Sequence, residues 1–309
     1  MLKQVAEIID LLDGADVSGA TVAAFFAAHG FGDCTVKTVS GTEGSTDFLR
    51  FFIPGRAGRT RNGSAPTLGV IGRLGGVGAR PHAIGLVSDA DGAAVALTVA
   101  LKLWQMQQRG DVLAGDVIVT THICPRAPVI PHDPVPFMAS PVPPEVLNRY
   151  TVEPAMEAIL SVDTTRGNRV LNISGFAITP TIKEGYILRA SPSLLALMEL
   201  VTGHPPVVVP LATQDITPSN NGLHHINSIV EPATATDAPV VGVAITSEAV
   251  IPGCATGVTH ELYVEQAARF IVEVAKGFGE GRVSFFDGGE FQELVRRYGS
   301  MKHLQTLGR

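Results

Sequence analysis

Residues 87–103 read VSDADGAAVALTVALKL, and after Asp91 this stretch carries almost no polar side chain. Such a segment predicts a helix that is buried on all sides, because a helix at the surface would keep one polar face. Apolar segments lie on both sides of it in sequence, LGVIG at 68–72 and DVIVTTHIC at 116–124. Two buried strands joined by a helix are typical of a parallel pair within an α/β sheet.

The same alternation extends towards both ends of the chain. Helical spacing is present at 3–12 and 19–29, strand-like segments at 158–165 and 238–246, and a further helical pattern at 264–278. We therefore predict one α/β domain over residues 1–309, with a mixed, mostly parallel central sheet and helices on both faces. The proline-rich segment 125–144 is predicted to be an irregular loop against the carboxyl ends of the strands, near the site.

Composition narrows the classes of partner. The formal net charge is −6, with 23 Lys and Arg against 29 Asp and Glu, which argues against nucleic acid because phosphate binding needs a basic surface. No apolar run is long enough to span a membrane, and the first residues lack the pattern of a signal peptide. Three widely spaced cysteines indicate free thiols, so a cytoplasmic location is predicted.

Polar residues follow several of the predicted strands, where α/β sheets bind their ligands. Asp, His and Cys side chains that come together from several loops form the donor set of a divalent transition metal, zinc above all. The candidate groups are Arg73 with Gly75 and Gly76, Asp89 and Asp91, His122 and Cys124, Asp163, and His260.

Each group also has a purely structural interpretation. Asp89 or Asp91 could cap the helix that follows, His122 and Cys124 could be buried strand residues, and Asp163 could end a strand in a turn. Two acids in so apolar a stretch argue against capping by both of them.

The order of these blocks resembles a known family. Stretches such as GSTDF at 44–48, GLVSDADGA at 85–93, DVIVTTHICP at 116–125, TQDITP at 213–218 and PATATDAPVVGVAIT at 232–246 look like those of an uncharacterised prokaryotic family, the domain of unknown function 1177. That resemblance covers nearly the whole chain and implies no activity.

More distantly, the motif order resembles that of the co-catalytic zinc aminopeptidases. Their bridging Asp before an apolar helix corresponds to Asp89, their strand ending in a ligand Asp to Asp163, and the His before their last helix to His260. The resemblance thus implies that Asp89 points into the site, which leaves Asp91 to cap the helix. Their Thr-Asp-Ala segment corresponds to the segment with Asp237, which joins the predicted substrate-binding set. The resemblance implies a zinc-aminopeptidase-like fold.

The departures from that pattern are at the metal centre. Arg73 stands where the first His ligand would be, Gly75 replaces the Asp that would orient it, and His122 lies where two glutamates would be, so the usual general base is absent. The ligands that remain are Asp89, His122, Asp163 and His260, which together would hold one divalent ion. An arginine next to a two-zinc cluster would be repelled by it.

Three functions are compatible with these residues. The first is an aminopeptidase-like hydrolase or amidohydrolase of a small peptide or amino-acid derivative, with His122 as general acid and base, and with Arg73 binding a substrate carboxylate or oxyanion. The second is a cofactor-independent amino-acid racemase using Cys124 and Cys254. The third is a non-catalytic ligand-binding protein on a peptidase fold. The set of predicted substrate-binding residues is Arg73, Gly75, Gly76, Asp237 and Cys254, and a homo-oligomer is predicted.

Overall fold

The computed structural model describes residues 1–73, 75–77, 86, 88–131, 137–165, 167–219, 221–225, 227–248 and 259–306. Within these ranges the α-helices are α1 (Leu2–Asp13), α2 (Gly19–Ala28), α3 (Asp91–Gln108), α4 (Pro144–Thr151), α5 (Pro192–Thr202), α6 (Glu261–Gly279) and α7 (Gly288–Tyr298). The strands are β1 (Cys34–Gly41), β2 (Gly44–Ile53), β3 (Leu68–Gly72), β4 (Val117–Ile123), β5 (Val129–Ile130), β6 (Phe137–Met138), β7 (Ala158–Thr164), β8 (Gly175–Ile178), β9 (Ile182–Lys183), β10 (Tyr186–Ile187) and β11 (Val240–Thr246).

Nine of these strands form one sheet in the order β1-β2-β4-β3-β7-β11-β9-β10, with β8 also paired to β11. The four central strands, β4, β3, β7 and β11, are parallel, and antiparallel strands flank them on both sides. All residues of β3, β4 and β11 are buried, as expected of strands covered on both faces. The predicted α/β fold with a mixed central sheet is confirmed.

Two apolar cores lie on the two faces of this sheet. The larger joins one face to α1, α2, α3, α5 and α6. The smaller packs the other face against the 3-10 helix Ser228–Thr234 and the segments around it, and α4 covers β2 on that face. Along each central strand, side chains alternate between the two cores, so every second residue near a strand end faces α4 and Ser228–Thr234.

Close packing between α3 and the sheet explains why residues 87–103 are so apolar. A Cβ on Gly92 would lie 2.5 Å from the carbonyl oxygen of Arg73 and 2.6 Å from that of Val162. A Cβ on Gly72 would lie 2.5 Å from the carbonyl oxygen of Gly92. The first turn of α3 therefore lies directly on the carboxyl ends of β3 and β7. Thirteen residues of the whole helix are buried.

The strand order reverses between β3 and β7. The chain leaves β3 through α3 towards β4 on one side, and it leaves β7 towards β11 on the other. Ligands of open α/β sheets bind at such a point, outside the carboxyl ends of the strands.

Residues 125–144 contain regular structure, contrary to the prediction of an irregular loop. β5 and β6 form a separate antiparallel pair in which Val129 is opposite Met138. The two strands are only two residues long, so their pairing leaves almost no periodic signal in a sequence rich in proline. As for membranes, no helix in the described ranges combines the length and the apolar character that a span requires.

Candidate functional site

Arg73 follows the last residue of β3 and turns its side chain towards α4 and Ser228–Thr234. Its backbone N–H donates to the carbonyl of Val162 at 2.8 Å, which holds it at the reversal point between β3 and β7. The side chain is only 4% exposed. Nη1 donates to Asn148 Oδ1 on α4 at 3.2 Å, and Nη2 forms an ion pair with Glu231. The third nitrogen, Nε, has no hydrogen-bond partner among the described residues.

Asp163 lies next to Arg73, on the adjacent strand β7 and on the same face of the sheet. One carboxylate oxygen accepts from the N–H of Thr164 at 2.7 Å, and the other accepts from the hydroxyl of Ser228 at 3.3 Å. Burial raises the pKa of Asp163 to about 6, while the charge of Arg73 opposes that rise. A carboxyl group with this pKa exists in both protonation states near neutral pH.

Glu231 completes the cluster, and the sequence interpretation missed it. It lies in the 3-10 helix Ser228–Thr234 and is buried; its second oxygen accepts from the N–H of Ser219 at 3.1 Å. The sequence signal was a single acid within the apolar run SIVEPA at 228–233. A buried carboxylate needs a charged or hydrogen-bonded partner, so this acid implied a cation facing it.

His122 lies on the same face at the end of β4, but both of its ring nitrogens are engaged. Nε2 accepts from the N–H of Gly75 at 3.2 Å, so Nδ1 carries the proton and donates to the hydroxyl of Thr46 at 2.9 Å. That hydroxyl in turn donates to the carbonyl of Ile123 at 3.1 Å. Burial and then the charge of Arg73 lower the pKa of His122 to about 3, so the ring is neutral at physiological pH.

The acids before α3 are both buried. Asp89 lies in the short 3-10 turn Ser88–Ala90, and Asp91 is the first residue of α3. The predicted capping role of Asp91 is wrong in detail, because the N-cap is Ala90, and within the described part of the chain no side-chain hydrogen bond caps this end. A carboxylate in the first turn still interacts favourably with the helix dipole.

His260 is half-buried at the start of α6. Its carbonyl accepts from the N–H groups of Tyr263 at 3.0 Å and Val264 at 3.1 Å, and its ring lies on that of Tyr263 with centroids 4.6 Å apart. These contacts belong to the N-cap of α6 and involve none of the other predicted ligands.

The predicted metal ligands do not form a group that fits an ion. Among the residues with described positions, which include Asp89, His122, Asp163 and His260, no three His, Cys, Asp or Glu side chains are arranged to hold a metal. The nitrogen lone pair of His122 is occupied by Gly75, and the guanidinium of Arg73 is next to Asp163. The structure thus brings together Arg73 and Asp163 of the predicted set, with Glu231 and Asn148 added.

The predicted glycines and Cys124 pack at the strand ends. A Cβ on Gly75 would lie 1.3 Å from the carbonyl oxygen of His122, and Gly76 pairs with Cys124 in a parallel bridge. Cys124 is buried, with its thiol 3.5 Å from the carbonyl of Ser45. Burial raises its pKa to about 11, so it is protonated at neutral pH, contrary to what a catalytic base requires. Cys254 lies outside the described residues.

Asp237 lies at the amino ends of the strands, opposite to the end at which Arg73 and Asp163 lie. It precedes β11, whereas Asp163 is opposite Ala244 near the far end of that strand. Its carboxylate is exposed and pairs with Lys302 at 2.6 Å. With Lys183 and Phe286 it lines a cavity of about 810 Å³ at the amino ends of β7 and β11. The structure therefore separates Asp237 from Arg73.

The sequence of this chain was compared with those of known protein families. The sequence profile of a family described as protein of unknown function (DUF1177) matches residues 37–308. The chain belongs to the DUF1177 family. No curated protein matches it.

Among solved structures, this DUF1177 protein is similar to a glutaminyl cyclase from an Acidobacteriales bacterium. The TM-score is 0.50 at 12% sequence identity, over 91% of this chain and 94% of the other. At that identity the likeness shows the fold alone. The predicted zinc-aminopeptidase-like fold is confirmed by this match over nearly the whole length of both chains.

Proposed function

We propose that this DUF1177 protein is an enzyme that hydrolyses an amide bond in a small peptide or amino-acid derivative carrying a carboxylate. The observation behind the proposal is that Arg73, Asp163 and Glu231 are buried together where the strand order reverses. Buried ionisable groups reduce stability unless they are compensated, and clusters of them with a shifted pKa are typical of active sites.

In the proposed reaction Asp163 transfers the protons. Its carboxylate takes a proton from the attacking water, and the resulting carboxylic acid gives a proton to the leaving amine, so that amide and water become carboxylic acid and amine. A pKa of about 6 suits both steps near neutral pH. Ser228, which donates to Asp163 at 3.3 Å, orients the carboxyl group.

Arg73 binds the anionic part of the substrate in this proposal. Asn148 and Glu231 fix the plane of its guanidinium, and Nε is a remaining donor for a carboxylate or a developing oxyanion. His122 is assigned no proton transfer, because its lone pair accepts from Gly75 and so holds the segment after Arg73 in place.

A divalent ion, zinc in particular, is predicted from the sequence and has no step in this mechanism, since the described residues do not form a ligand set. Elemental analysis of the purified protein, with a metal-stripped control assayed in parallel, tests that prediction independently of the roles given to Asp163 and Arg73.

The decisive test compares Asp163→Asn and Arg73→Lys with the wild type on a panel of dipeptides and N-acyl amino acids. Asp163→Asn should lower kcat by about 10²–10⁴-fold, the usual contribution of a general acid–base group. It should also remove the limb of the pH–rate profile near pH 6. Arg73→Lys keeps the charge but loses the planar fork, so its main effect should be a higher KM.

Circular dichroism of each variant is the control for folding. An Asp163→Asn variant that is folded and as active as wild type would contradict the proposed mechanism. If the wild type binds members of the panel without converting any of them, the non-catalytic alternative is supported instead.

A further inference from the structure

A cavity of about 460 Å³ lies against α4, the helix that contributes Asn148 to the Arg73 cluster. Its wall is built from the first turn of α4, from residues 217–219 with Asn221, and from the segment at 303–306. Its apolar lining comes from Pro143, Pro144, Pro218 and Leu304, and its polar lining from Glu145, Thr217, Ser219, Asn221, His303 and Thr306. Pro143 and Pro144 belong to the proline-rich segment that the sequence predicts near the site.

Two separate connections lead from this cavity to Arg73. Glu145 lines the cavity, and Asn148, which accepts from Arg73 at 3.2 Å, is three residues further on α4 and so on nearly the same side of the helix. Ser219 also lines the cavity, and its N–H donates to Glu231, the other partner of Arg73, at 3.1 Å. A molecule in the cavity would therefore contact α4 and Ser219, which carry or bind the two groups that hold the guanidinium.

The lining combines an apolar part with polar groups and one carboxylate. Three proline rings and the Leu304 side chain form the apolar part, His303 is among the polar groups, and the carboxylate of Glu145 is exposed at the rim. Glu145 makes no ion pair or hydrogen bond with any residue whose position is described, unlike the paired acids Glu231 and Asp237. An apolar stem that ends in a positive charge matches this combination, because lysine and arginine side chains bury their methylene groups and keep the charged end at a polar rim.

We infer that this cavity, which we call the α4 cavity, binds a basic side chain of the substrate, with Glu145 as the residue that selects for it. The volume is within the usual range of ligand pockets and is ample for a lysine-like or arginine-like group. The inference rests on the proposed function, since it takes the carboxylate of the same molecule to be bound at Arg73. It narrows the substrate to derivatives of cationic amino acids.

Glycyl-lysine and glycyl-norleucine are the matched probes, because they share the carboxylate and the aliphatic stem and differ in the terminal ammonium. Calorimetry on the full chain should show that wild type binds glycyl-lysine about fivefold more tightly, the upper range for an exposed ion pair, and that high salt reduces the difference. Glu145→Gln should bind the two probes equally. Glu199→Gln, on α5 at the opposite face, is the matched control and should keep the preference.

Equal binding of the two probes by wild type, a preference that survives in Glu145→Gln, or failure to bind either probe overturns the inference. Turnover is measured separately on the same samples. Probes that bind with a Glu145-dependent preference but are not cleaved leave the α4 cavity assigned and count against the proposed hydrolysis. Cleavage without any preference for lysine supports the proposed hydrolysis and overturns the assignment of the α4 cavity.

Discussion

Arg73 and Glu231 carry opposite charges and are almost completely buried, which makes their pairing a strong constraint on the site. Removing one partner of such a pair usually reduces stability by about 3–5 kcal/mol, because the remaining charge stays buried. Asp163 lies in the field of both, and the cation lowers its pKa while the Glu231 carboxylate raises it. At the scale of single residues, the pKa of Asp163 is therefore set by burial first and by the charge of Arg73 second.

Asp163 and His122 should affect the pH dependence of stability in opposite directions. The pKa of His122 falls from 6.5 to about 3 on folding, so its contribution is present above pH 6.5 and is lost as the pH falls towards 3. The pKa of Asp163 rises from 3.8 to about 6, so stability from this group increases as the pH falls through the same region. Between about pH 4 and 6 the two contributions offset each other.

In Asp163→Asn the contribution of His122 is no longer offset. Urea unfolding should then show that the free energy of unfolding falls towards acid pH more steeply than in wild type, by up to about 1.4 kcal/mol per pH unit. His122→Gln should change the slope in the other direction. Parallel curves for wild type and both variants from pH 4 to 6 would show that these groups do not titrate as assigned.

At the scale of elements, the contact of α3 with β3 and β7 places Arg73. The first turn of this helix lies so close to the backbone of Arg73 and Val162 that the position of Gly92 has no space for a side chain. The buried acids at this end of α3 are consequently held against the same strand ends as Arg73 and Asp163.

Gly92→Ala should lower stability by about 1–3 kcal/mol, as overpacking of a rigid contact usually does, and it should weaken carboxylate binding at Arg73. Gly288→Ala is the matched control, because Gly288 also lies in the first turn of a helix but a Cβ added to it would have no atom within 4 Å among the described residues. That change should stay within about 0.5 kcal/mol of wild type. Thermal unfolding measures both, and equal effects would contradict the tight contact at α3.

At the scale of the whole molecule, a single nine-stranded sheet carries both apolar cores. Each core uses alternate residues of the same central strands. Loss of either core would therefore expose the apolar side chains on one face of the sheet to water. The predicted homo-oligomer and cytoplasmic location stay predictions; light scattering on the purified protein measures the oligomeric state.

One cooperative unfolding transition should therefore be seen by calorimetry, with the calorimetric enthalpy equal to the van't Hoff enthalpy at fixed protein concentration. Two transitions, or a calorimetric enthalpy well above the van't Hoff value, would show that parts of the chain unfold independently and would contradict the single domain predicted over residues 1–309.

The amino-acid sequence by itself determined the fold class and the end of the strands at which the candidate site lies. The apolar helix after Asp91 and the buried strands beside it require a sheet covered on both faces, since continuous apolar runs have no other stable environment in water. Arg73 and Asp163 could be found because each is a charged residue directly at the end of such a strand, and that position depends only on local periodicity.

Only the tertiary structure decided which groups meet at the carboxyl ends of the strands. Glu231 is 158 residues from Arg73 in sequence, and the pair forms because Ser228–Thr234 packs on one particular face of the sheet. The tautomer of His122 depends on the backbone N–H of Gly75, and Asp237 is separated from Arg73 by the length of β11. Periodicity reports burial within one element, whereas these pairings depend on how distant elements pack, and that information is not local in the sequence.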